Sequence, residues 1–383
     1  MTRSGGTIYL DNAATSFPKP ETVYVAMDRF LREAAANPGR AGHARAVAAS
    51  RVVQSARVRL ARLLGVADAR RVVWCAGATA ALNLALKGSL RPGDRVVTSH
   101  LEHNAVARPL RALERTGVRV ERVPCSRGSF DPLAFVQALS DRPALAVLTH
   151  ASNVTGEVLP LAEVGAECRR LGVRFLIDAA QTAGSVELRA EWADLVALPG
   201  HKGLLGPPGT GALVIGPGVE LTPLMEGGTG SESERDEQPE GLPERFESGT
   251  LNSVGLAGLD AGLAWLEATG PAAVHRREQE WVARLWHGLG ELPSAVRYGP
   301  PPAANRAAVL SFNLVGWEPS DLAAVLDSEF GIQVRAGLHC APWAHQALGT
   351  APAGTVRLSP GFFNTESDIE ATLDAVRQVA GGN

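Results

Sequence analysis

The residues best suited to covalent chemistry surround one lysine in the stretch Pro199-Gly-His-Lys-Gly203. The chain has 37 basic residues, and only Lys19, Lys87 and Lys202 among them are lysines. Glycines on both sides of the His-Lys pair leave the backbone open to a bulky group. Burial lowers the pKa of a lysine, and its neutral amine can then form a Schiff base with an aldehyde cofactor. A solvated loop lysine is the alternative interpretation of Lys202 taken alone.

Short apolar runs alternate with helical stretches from residue 71 onward, and they predict the frame that positions this lysine. The predicted strands are 72–75, 95–98, 118–120, 145–148, 173–177, 195–198 and 211–215. Seven such strands separated by helices indicate a mostly parallel, doubly wound α/β sheet. Ligands bind beyond the carboxyl ends of the strands in such sheets, so the residues that follow each strand are site candidates.

Small and polar residues occupy these positions. Gly77-Ala78-Thr79 leads into a helix, where free N–H groups suit a phosphate, although a tight helix start is the alternative. Glu102-His103-Asn104 follows the second strand and Ser152-Asn153 follows the fourth. Asp178 ends the fifth strand, with Gln181 close behind. A buried Asp there needs a partner, for which a pyridinium nitrogen is suitable and a helix N-cap is the alternative.

Three further candidates lie near the ends of the chain. Asn12 follows a short apolar run and either faces a ligand or forms a turn. Residues 335–342 are predicted to form a loop that carries Cys340 beside a histidine, although a lone Cys is usually a small buried hydrophobe. The guanidinium of Arg357 could bind a carboxylate bidentately or form a surface salt bridge.

Length and composition predict a soluble globular protein of two domains. We expect a larger domain over residues 1–265 and a smaller one over 266–383 whose own elements begin at about Pro271, and we allow for the N-terminal segment packing against the smaller one. The segment 225–248 is polar and acidic and too long for an ordinary loop, so we expect it to be functional, mobile or held by a partner.

The same composition excludes several classes of partner. A net charge of -3 gives no electrostatic basis for binding nucleic acid or an anionic membrane. The four cysteines show no CxxC spacing, which predicts reduced thiols and no metal site. The first six residues lack the apolar segment of a signal peptide, and no apolar stretch has membrane-spanning length. We therefore expect a cytoplasmic protein.

Three motifs, taken together and in this order, resemble the class V aminotransferases of the fold-type I pyridoxal phosphate (PLP) enzymes, and most closely the cysteine desulfurases. In chain order they are Asp-x-x-Gln at 178–181, Gly-His-Lys at 200–202 and Arg-x-Gly-x-His-Cys at 335–340. The resemblance covers nearly the whole chain, from Leu10 to Thr365. It implies a seven-stranded, mostly parallel sheet domain with a smaller C-terminal α+β domain, pyridoxal 5'-phosphate as cofactor, and a homodimer.

The resemblance also implies roles for individual residues. Lys202 corresponds to the Schiff-base lysine, Cys340 to the cysteine that accepts sulfur, and His103 to the residue that stacks on the cofactor ring and moves protons. Cofactor contacts are implied for Ala78, Thr79, His103, Asn153, Asp178, Gln181, His201 and Lys202, and for Gly249 and Thr250 reaching across from the other subunit. Substrate contacts are implied for Asn12, Asn153, Arg335 and Arg357.

Three residues depart from the family pattern. Pro199 stands where many relatives have a serine that hydrogen-bonds the phosphate, and Ala78 replaces a frequent threonine in the phosphate turn. Leu338 occupies the first histidine position of the Arg-x-Gly-His-His-Cys motif. These residues affect cofactor retention and the polarity around Cys340.

The activity that the resemblance implies is conversion of L-cysteine to L-alanine, with sulfur transferred as a persulfide on Cys340 and then to a sulfur-acceptor protein. The alternatives on the same scaffold are a selenocysteine lyase, a cysteine sulfinate desulfinase and a transaminase. An alternative of another class is a non-enzymatic sulfur-transfer assembly partner that docks through the acidic loop.

Overall fold

Strands and helices alternate along the chain as in an α/β protein. The computed structural model describes residues 6–39, 42–232, 234–302 and 306–381. Its strands are β1 (Ile8–Tyr9), β2 (Val72–Cys75), β3 (Arg95–Ser99), β4 (Arg119–Val123), β5 (Leu145–Thr149), β6 (Arg174–Asp178), β7 (Leu195–Pro199), β8 (Gly211–Ile215), β9 (Ala295–Tyr298), β10 (Leu310–Leu314), β11 (Ile332–Gln333), β12 (Arg335–Gly337) and β13 (Thr355–Leu358). Its helices are α1 (Glu21–Glu33), α2 (Ala44–Leu64), α3 (Ala78–Ser89), α4 (Asn104–Glu114), α5 (Pro132–Ala138), α6 (Leu161–Leu171), α7 (Ser253–Thr269), α8 (Pro271–Gly290), α9 (Pro319–Phe330), α10 (Pro342–Leu348) and α11 (Glu366–Gly381).

The predicted seven-stranded sheet is confirmed. Among the described residues its strand order is β2-β8-β7-β6-β5-β3-β4. Strands β3 to β7 pair in parallel, whereas β8 is antiparallel to both of its neighbours, β2 and β7. The sheet is therefore mostly parallel, and the carboxyl ends of β3, β5, β6 and β7 meet at one edge.

Burial explains why most strands were visible as apolar runs. Every residue of β5, β7 and β8 is buried, as expected for strands covered by helices on both faces. Strand β4 is the exception, because it lies at the edge of the sheet and exposes Arg119, Glu121 and Arg122. Its polar side chains hid all but its first residues from sequence analysis, which placed it at 118–120.

Two apolar cores cover the faces of this sheet, and a third lies in the C-terminal part. The third core packs α8, α9 and α11 against the antiparallel sheet β12-β13-β10-β9. It also contains Ile8 and Leu10, and β1 pairs in parallel with β11. We propose that this core marks the smaller domain, joined by the N-terminal segment. Its boundary is better placed at Gly270, between α7 and α8, than after residue 265, which lies within α7.

No helix in the described part of the chain is long and apolar enough to cross a membrane. The expectation that the chain has no signal peptide concerns its first residues, of which 1–5 lie outside the described ranges.

Candidate active site

A cavity of about 980 Å³ lies at the carboxyl ends of the parallel strands. The predicted site residues in its wall are Ala78, Thr79, His103, Asn153, Asp178, Gln181, His201, Lys202, Thr250, Arg335 and Arg357. Asn12, Gly249 and Cys340 do not belong to this wall. The structure therefore brings most of the predicted site together.

Lys202 follows β7 on a tight turn. Burial lowers the pKa of its amine to about 8, and the positive charge of Arg357 acts in the same direction. The flanking Gly200 and Gly203 allow close packing within the protein. A Cβ at Gly200 would lie 2.1 Å from the Thr210 Oγ1, and one at Gly203 would lie 2.4 Å from the carbonyl oxygen of Ala183. The expectation that they make room for a ligand is thus corrected, since they pack the turn against neighbouring segments.

Two buried carboxyl groups lie behind the lysine. Asp178 ends β6 and is 2% exposed, and its Oδ1 accepts a hydrogen bond from the Ala180 N–H at 2.9 Å. Burial raises its pKa, which the positive charge of Lys202 opposes. This backbone bond resembles the expected N-cap, yet the second carboxylate oxygen remains available to a ligand.

Glu102 is a residue to which sequence analysis assigned no role. It is fully buried, and its Oε1 accepts hydrogen bonds from the Ser99 hydroxyl at 2.7 Å and the Thr149 N–H at 3.1 Å. Burial raises its pKa to about 8, and the charge of Asp178 raises it further. The neutral form of the Glu102 carboxyl is therefore favoured at pH 7. Its position directly before His103 was the available signal.

His103 caps the N-terminus of α4. Its Nδ1 accepts a hydrogen bond from the Ala105 N–H at 3.0 Å, so a neutral ring carries its proton on Nε2. Burial lowers its pKa to about 4, and the nearby positive charge of Lys202 contributes. At neutral pH the Nε2–H of this ring is therefore a hydrogen-bond donor.

The start of α3 has the features of a phosphate site. Gly77 precedes the helix with φ 156° and offers no side-chain cap, so the first amides of α3 are free to bind an anion. Its backbone lies against Gly211, where a Cβ would come within 2.6 Å of the Gly77 Cα. The buried Nδ1 of His201 has no hydrogen-bond partner and gives the cavity another polar atom. Neither Ala78 nor Pro199 has a side-chain hydroxyl that could donate a hydrogen bond to a phosphate.

Arg357 is almost fully buried at 1% exposure. Its Nη2 pairs with Asp11 Oδ1 at 2.7 Å and its Nη1 donates to the Asn153 carbonyl at 3.2 Å. The Nε is buried without a partner. The alternative of a surface salt bridge is therefore wrong. Asp11 is the counterion that sequence analysis missed, because it meets the segment after β13 only in the folded chain, through a parallel bridge to Ser359.

The amide of Asn12 is engaged within the protein. Its Nδ2 donates to the Ser359 carbonyl at 3.0 Å, and its Oδ1 accepts from the Phe17 N–H at 3.0 Å. Asn12 lines a second cavity of about 60 Å³ that Lys202 and Gln181 also border. Glu278 reaches this cavity from α8, is hydrogen-bonded to Ser185, and has its pKa raised to about 8 by burial.

The predicted loop at 335–342 is partly a strand. Residues 335–337 form β12, which pairs with β13 in a register that places Arg335 opposite Arg357. This pairing spans distant parts of the chain and leaves no local pattern. The loop is confined to the residues that follow, where His339 (φ 48°) and Cys340 (φ 58°) adopt the left-handed conformation.

Arg335 is the partner of the candidate nucleophile. Its Nη2 donates to the Cys340 Sγ at 3.3 Å. His339, the histidine next to Cys340, instead contacts Thr355 Oγ1 at 3.0 Å. Burial lowers its pKa to about 2, and the charge of Arg357 acts in the same direction, so His339 carries no charge that could stabilise a thiolate.

The loop that carries Cys340 is held to the rest of the site by its backbone. The Asn104 N–H donates to the Cys340 carbonyl at 2.7 Å, and Asn153 Nδ2 donates to the His339 carbonyl at 2.7 Å. The backbone of Cys340 is therefore held beside His339 and Arg335, two residues that line the cavity.

The acidic segment 225–248 is anchored in its own chain. The carboxylate of Glu247 is buried, pairs with both terminal nitrogens of Arg57 at 2.7 and 2.8 Å, and accepts from the Trp74 N–H at 2.6 Å. Gly249 and Thr250 follow directly. Thr250 is exposed, lies in the wall of the cavity of the same chain, and accepts from Asn37 Nδ2 at 3.4 Å.

Fold and site together define the class of protein. The chain matches the aminotransferase class-V family over residues 8–372 and belongs to that family. A protein of Methanothermobacter thermautotrophicus named "Probable cysteine desulfurase" is 35% identical over 98% of this chain and 95% of its own.

Solved structures of similar proteins show the same fold. An apo cysteine desulfurase of Thermococcus onnurineus has a TM-score of 0.91 and 32% identity, covering 98% of this chain and 95% of its own. A cysteine desulfurase of Escherichia coli has a TM-score of 0.87 and 29% identity over the same shares of the two chains. The predicted family and fold class are thereby confirmed.

Proposed function

We propose that the protein is a PLP-dependent cysteine desulfurase, which converts L-cysteine to L-alanine and takes up the sulfur as a persulfide on Cys340. The observation that carries this proposal is the Cys340 thiol beside the Arg335 guanidinium, at the edge of a cavity that contains a buried lysine. The names of its relatives support the same activity.

The residues present fit pyridoxal 5'-phosphate. The free amides at Ala78 and Thr79 and the unpartnered Nδ1 of His201 suit the phosphate, and buried Asp178 suits a protonated ring nitrogen. When bound, the cofactor supplies an aldehyde for amines and a ring that accepts electrons from the substrate's alpha carbon.

Lys202 and Arg357 act on the substrate L-cysteine before the sulfur is transferred. With a pKa lowered to about 8, Lys202 Nζ spends part of its time neutral and can take a proton from the substrate's alpha carbon. Arg357 is rigidly held by Asp11, and its unpaired Nε leaves it donors for the substrate carboxylate. His103 Nε2–H can donate a hydrogen bond to the bound cofactor or substrate.

Cys340 carries out the sulfur transfer. Its thiolate attacks the substrate sulfur, so an S–S bond forms as the C–S bond of the substrate breaks. The electron pair of that bond goes to the substrate's beta carbon, which takes up a proton and becomes the methyl group of alanine. Arg335 Nη2 lies 3.3 Å from the Cys340 sulfur and donates a hydrogen bond to it.

Analysis of the products tests this function. Purified protein with bound cofactor should convert L-cysteine to alanine in amounts equal to the sulfur it transfers. Pyruvate as the main product would replace the proposal with a lyase. A protein that binds no cofactor and is colourless would favour the non-enzymatic assembly partner.

Replacing Arg357 tests the proposed substrate contact. Arg357→Lys keeps the charge opposite Asp11 but loses the two-pronged geometry, so the KM for L-cysteine should rise by roughly one to two orders of magnitude, the equivalent of about 1.5–3 kcal/mol. Cysteamine lacks the carboxylate and should inhibit wild type and variant equally. If the variant binds L-cysteine and cysteamine more weakly by the same factor, Arg357 does not bind the carboxylate.

We further propose a homodimer in which Gly249 and Thr250 complete the partner's phosphate site. Mixed dimers of Thr250→Trp and Lys202→Ala subunits decide between this arrangement and one in which Thr250 serves its own chain. If Thr250 reaches across, one site of the hybrid carries both lesions and the other carries neither, so mixing should restore activity to about half of the wild-type value per hybrid dimer.

The matched control is a mixture refolded from Thr250→Trp and wild-type subunits, which reports the loss expected from subunit exchange alone. If mixing the two inactive variants restores nothing while exchange is shown by mass, Thr250 serves its own chain. A monomer with full activity would also contradict the proposal.

The persulfide would then pass to a sulfur-acceptor protein. The thiols of all four cysteines are free in the structure, which suits a reducing compartment, and we propose the cytoplasm as the location.

A further inference from the structure

Lys19 lies against the turn that carries Lys202. Its Nζ is 2.9 Å from the Ser16 hydroxyl, 3.2 Å from the Ser16 carbonyl and 3.3 Å from the His201 carbonyl. No carboxylate of the described residues forms an ion pair with it, so it is a cation surrounded by neutral oxygens. Burial lowers its pKa to about 8.

The carbonyl oxygen of His201 accepts hydrogen bonds from several donors. Besides Lys19, it accepts from the Ser16 N–H at 3.1 Å, the Thr15 hydroxyl at 3.1 Å and the Ser16 hydroxyl at 3.2 Å. A carbonyl oxygen has two lone pairs, so these donors saturate it. Because the peptide group is planar, fixing this oxygen also fixes the nitrogen and Cα of Lys202.

The presence of a lysine and not an arginine at position 19 is informative. Only three of the 37 basic residues are lysines, so this chain uses arginine wherever a general cation suffices. Lys87 is exposed near the end of α3, whereas Lys19 and Lys202 both lie at the site. An ammonium group is compact and can bind three oxygens that converge on one point, which the planar fork of arginine does not match.

We propose that Lys19 is a positioning residue for Lys202. Its ammonium group, with the Ser16 hydroxyl, clamps the His201 carbonyl and so fixes the peptide from which the Lys202 side chain extends. The inference rests on the proposed function, since it assigns Lys19 a task in presenting Lys202 to cofactor and substrate.

The Lys19→Met variant tests this, with Lys87→Met as the matched control for losing one lysine charge. Both variants are prepared with bound cofactor. Lys19→Met should lower kcat about tenfold or more while leaving the KM for L-cysteine within about twofold, because misplacing a reacting group costs rate more than binding. Lys87→Met should match the wild type, and Lys19→Arg should restore little.

A second measurement separates positioning from simple structural support. The pH dependence of the bound cofactor's visible absorbance reports protonation at the Lys202 nitrogen. The charged groups that act on this nitrogen are Arg357, Asp178, Arg335 and Asp11, and the rings of His103 and His201 also interact with it. Lys19 is not one of these groups, so Lys19→Met should move the midpoint by displacing the Lys202 nitrogen relative to them, whereas Lys87→Met should leave the midpoint in place.

Ser16→Ala removes only the bridging hydroxyl and keeps the ammonium group of Lys19, so it should lower kcat less than Lys19→Met does. Equal kcat and equal midpoints in Lys19→Met and Lys87→Met would overturn the inference, whatever the change in melting temperature. If Lys19→Met does not fold, wild-type kcat in Ser16→Ala overturns it. Failure of the proposed function is a different result, since wild-type protein would then not produce alanine.

Discussion

Replacing Cys340 with serine should lower the turnover of L-cysteine by several orders of magnitude while leaving cofactor binding intact. Serine is nearly the same size, and the loop is held by the backbone carbonyls of His339 and Cys340, which the substitution does not touch. What disappears is the thiol to which Arg335 donates a hydrogen bond, and a serine hydroxyl is a far weaker nucleophile toward sulfur.

Other substrates and another cysteine provide the controls. Selenocysteine and cysteine sulfinate have leaving groups that depart without a protein nucleophile, so Cys340→Ser should lose much less activity with them. Cys125→Ser should behave as wild type, because burial raises the pKa of the Cys125 thiol to about 11 and keeps it protonated. Wild-type turnover of L-cysteine in Cys340→Ser would favour the lyase or transaminase alternative.

Replacing Lys202 with alanine should abolish the covalent attachment of the cofactor and reduce turnover by several orders of magnitude. The turn itself should persist, because two backbone hydrogen bonds hold it. The Gly200 N–H donates to the Thr210 carbonyl, and the Ser16 N–H donates to the His201 carbonyl. The melting temperature of the variant without cofactor should therefore stay close to that of the wild type without cofactor.

Borohydride reduction followed by peptide mass analysis measures the attachment. The wild type and the Lys87→Ala control should carry the cofactor on the peptide that contains Lys202, and Lys202→Ala should carry none. A reducible linkage that survives in Lys202→Ala, on Lys19 or Lys87, would show that another lysine performs this chemistry.

Much of this account was accessible from the sequence because the sheet is buried and its strands are apolar. The strand that ends in Asp178 and the strand that precedes Lys202 were located to within a residue or two, and the site followed from the rule that ligands bind at the carboxyl ends of the strands. Local patterns suffice wherever a segment is covered on both faces.

Contacts between distant segments were not accessible. Asp11 pairs with Arg357 across 346 positions, and the Lys19 contact with His201 spans 182. β12 exists only because it pairs with β13, and the buried bond between Arg57 and Glu247 joins segments that look unrelated. Glu102 was a candidate by its position after a strand but received no role, because burial in the fold, not residue type, gives it a raised pKa.

The central claim is that Cys340 accepts the sulfur of the substrate, and mass spectrometry tests it most directly. After brief exposure of wild-type protein to L-cysteine, the peptide that contains Cys340 should carry one additional sulfur atom. The peptides of Cys75, Cys125 and Cys168 should carry none, because burial raises the pKa of each of these thiols. Alanine formation without added sulfur on Cys340, or with the sulfur on another cysteine, would contradict the account.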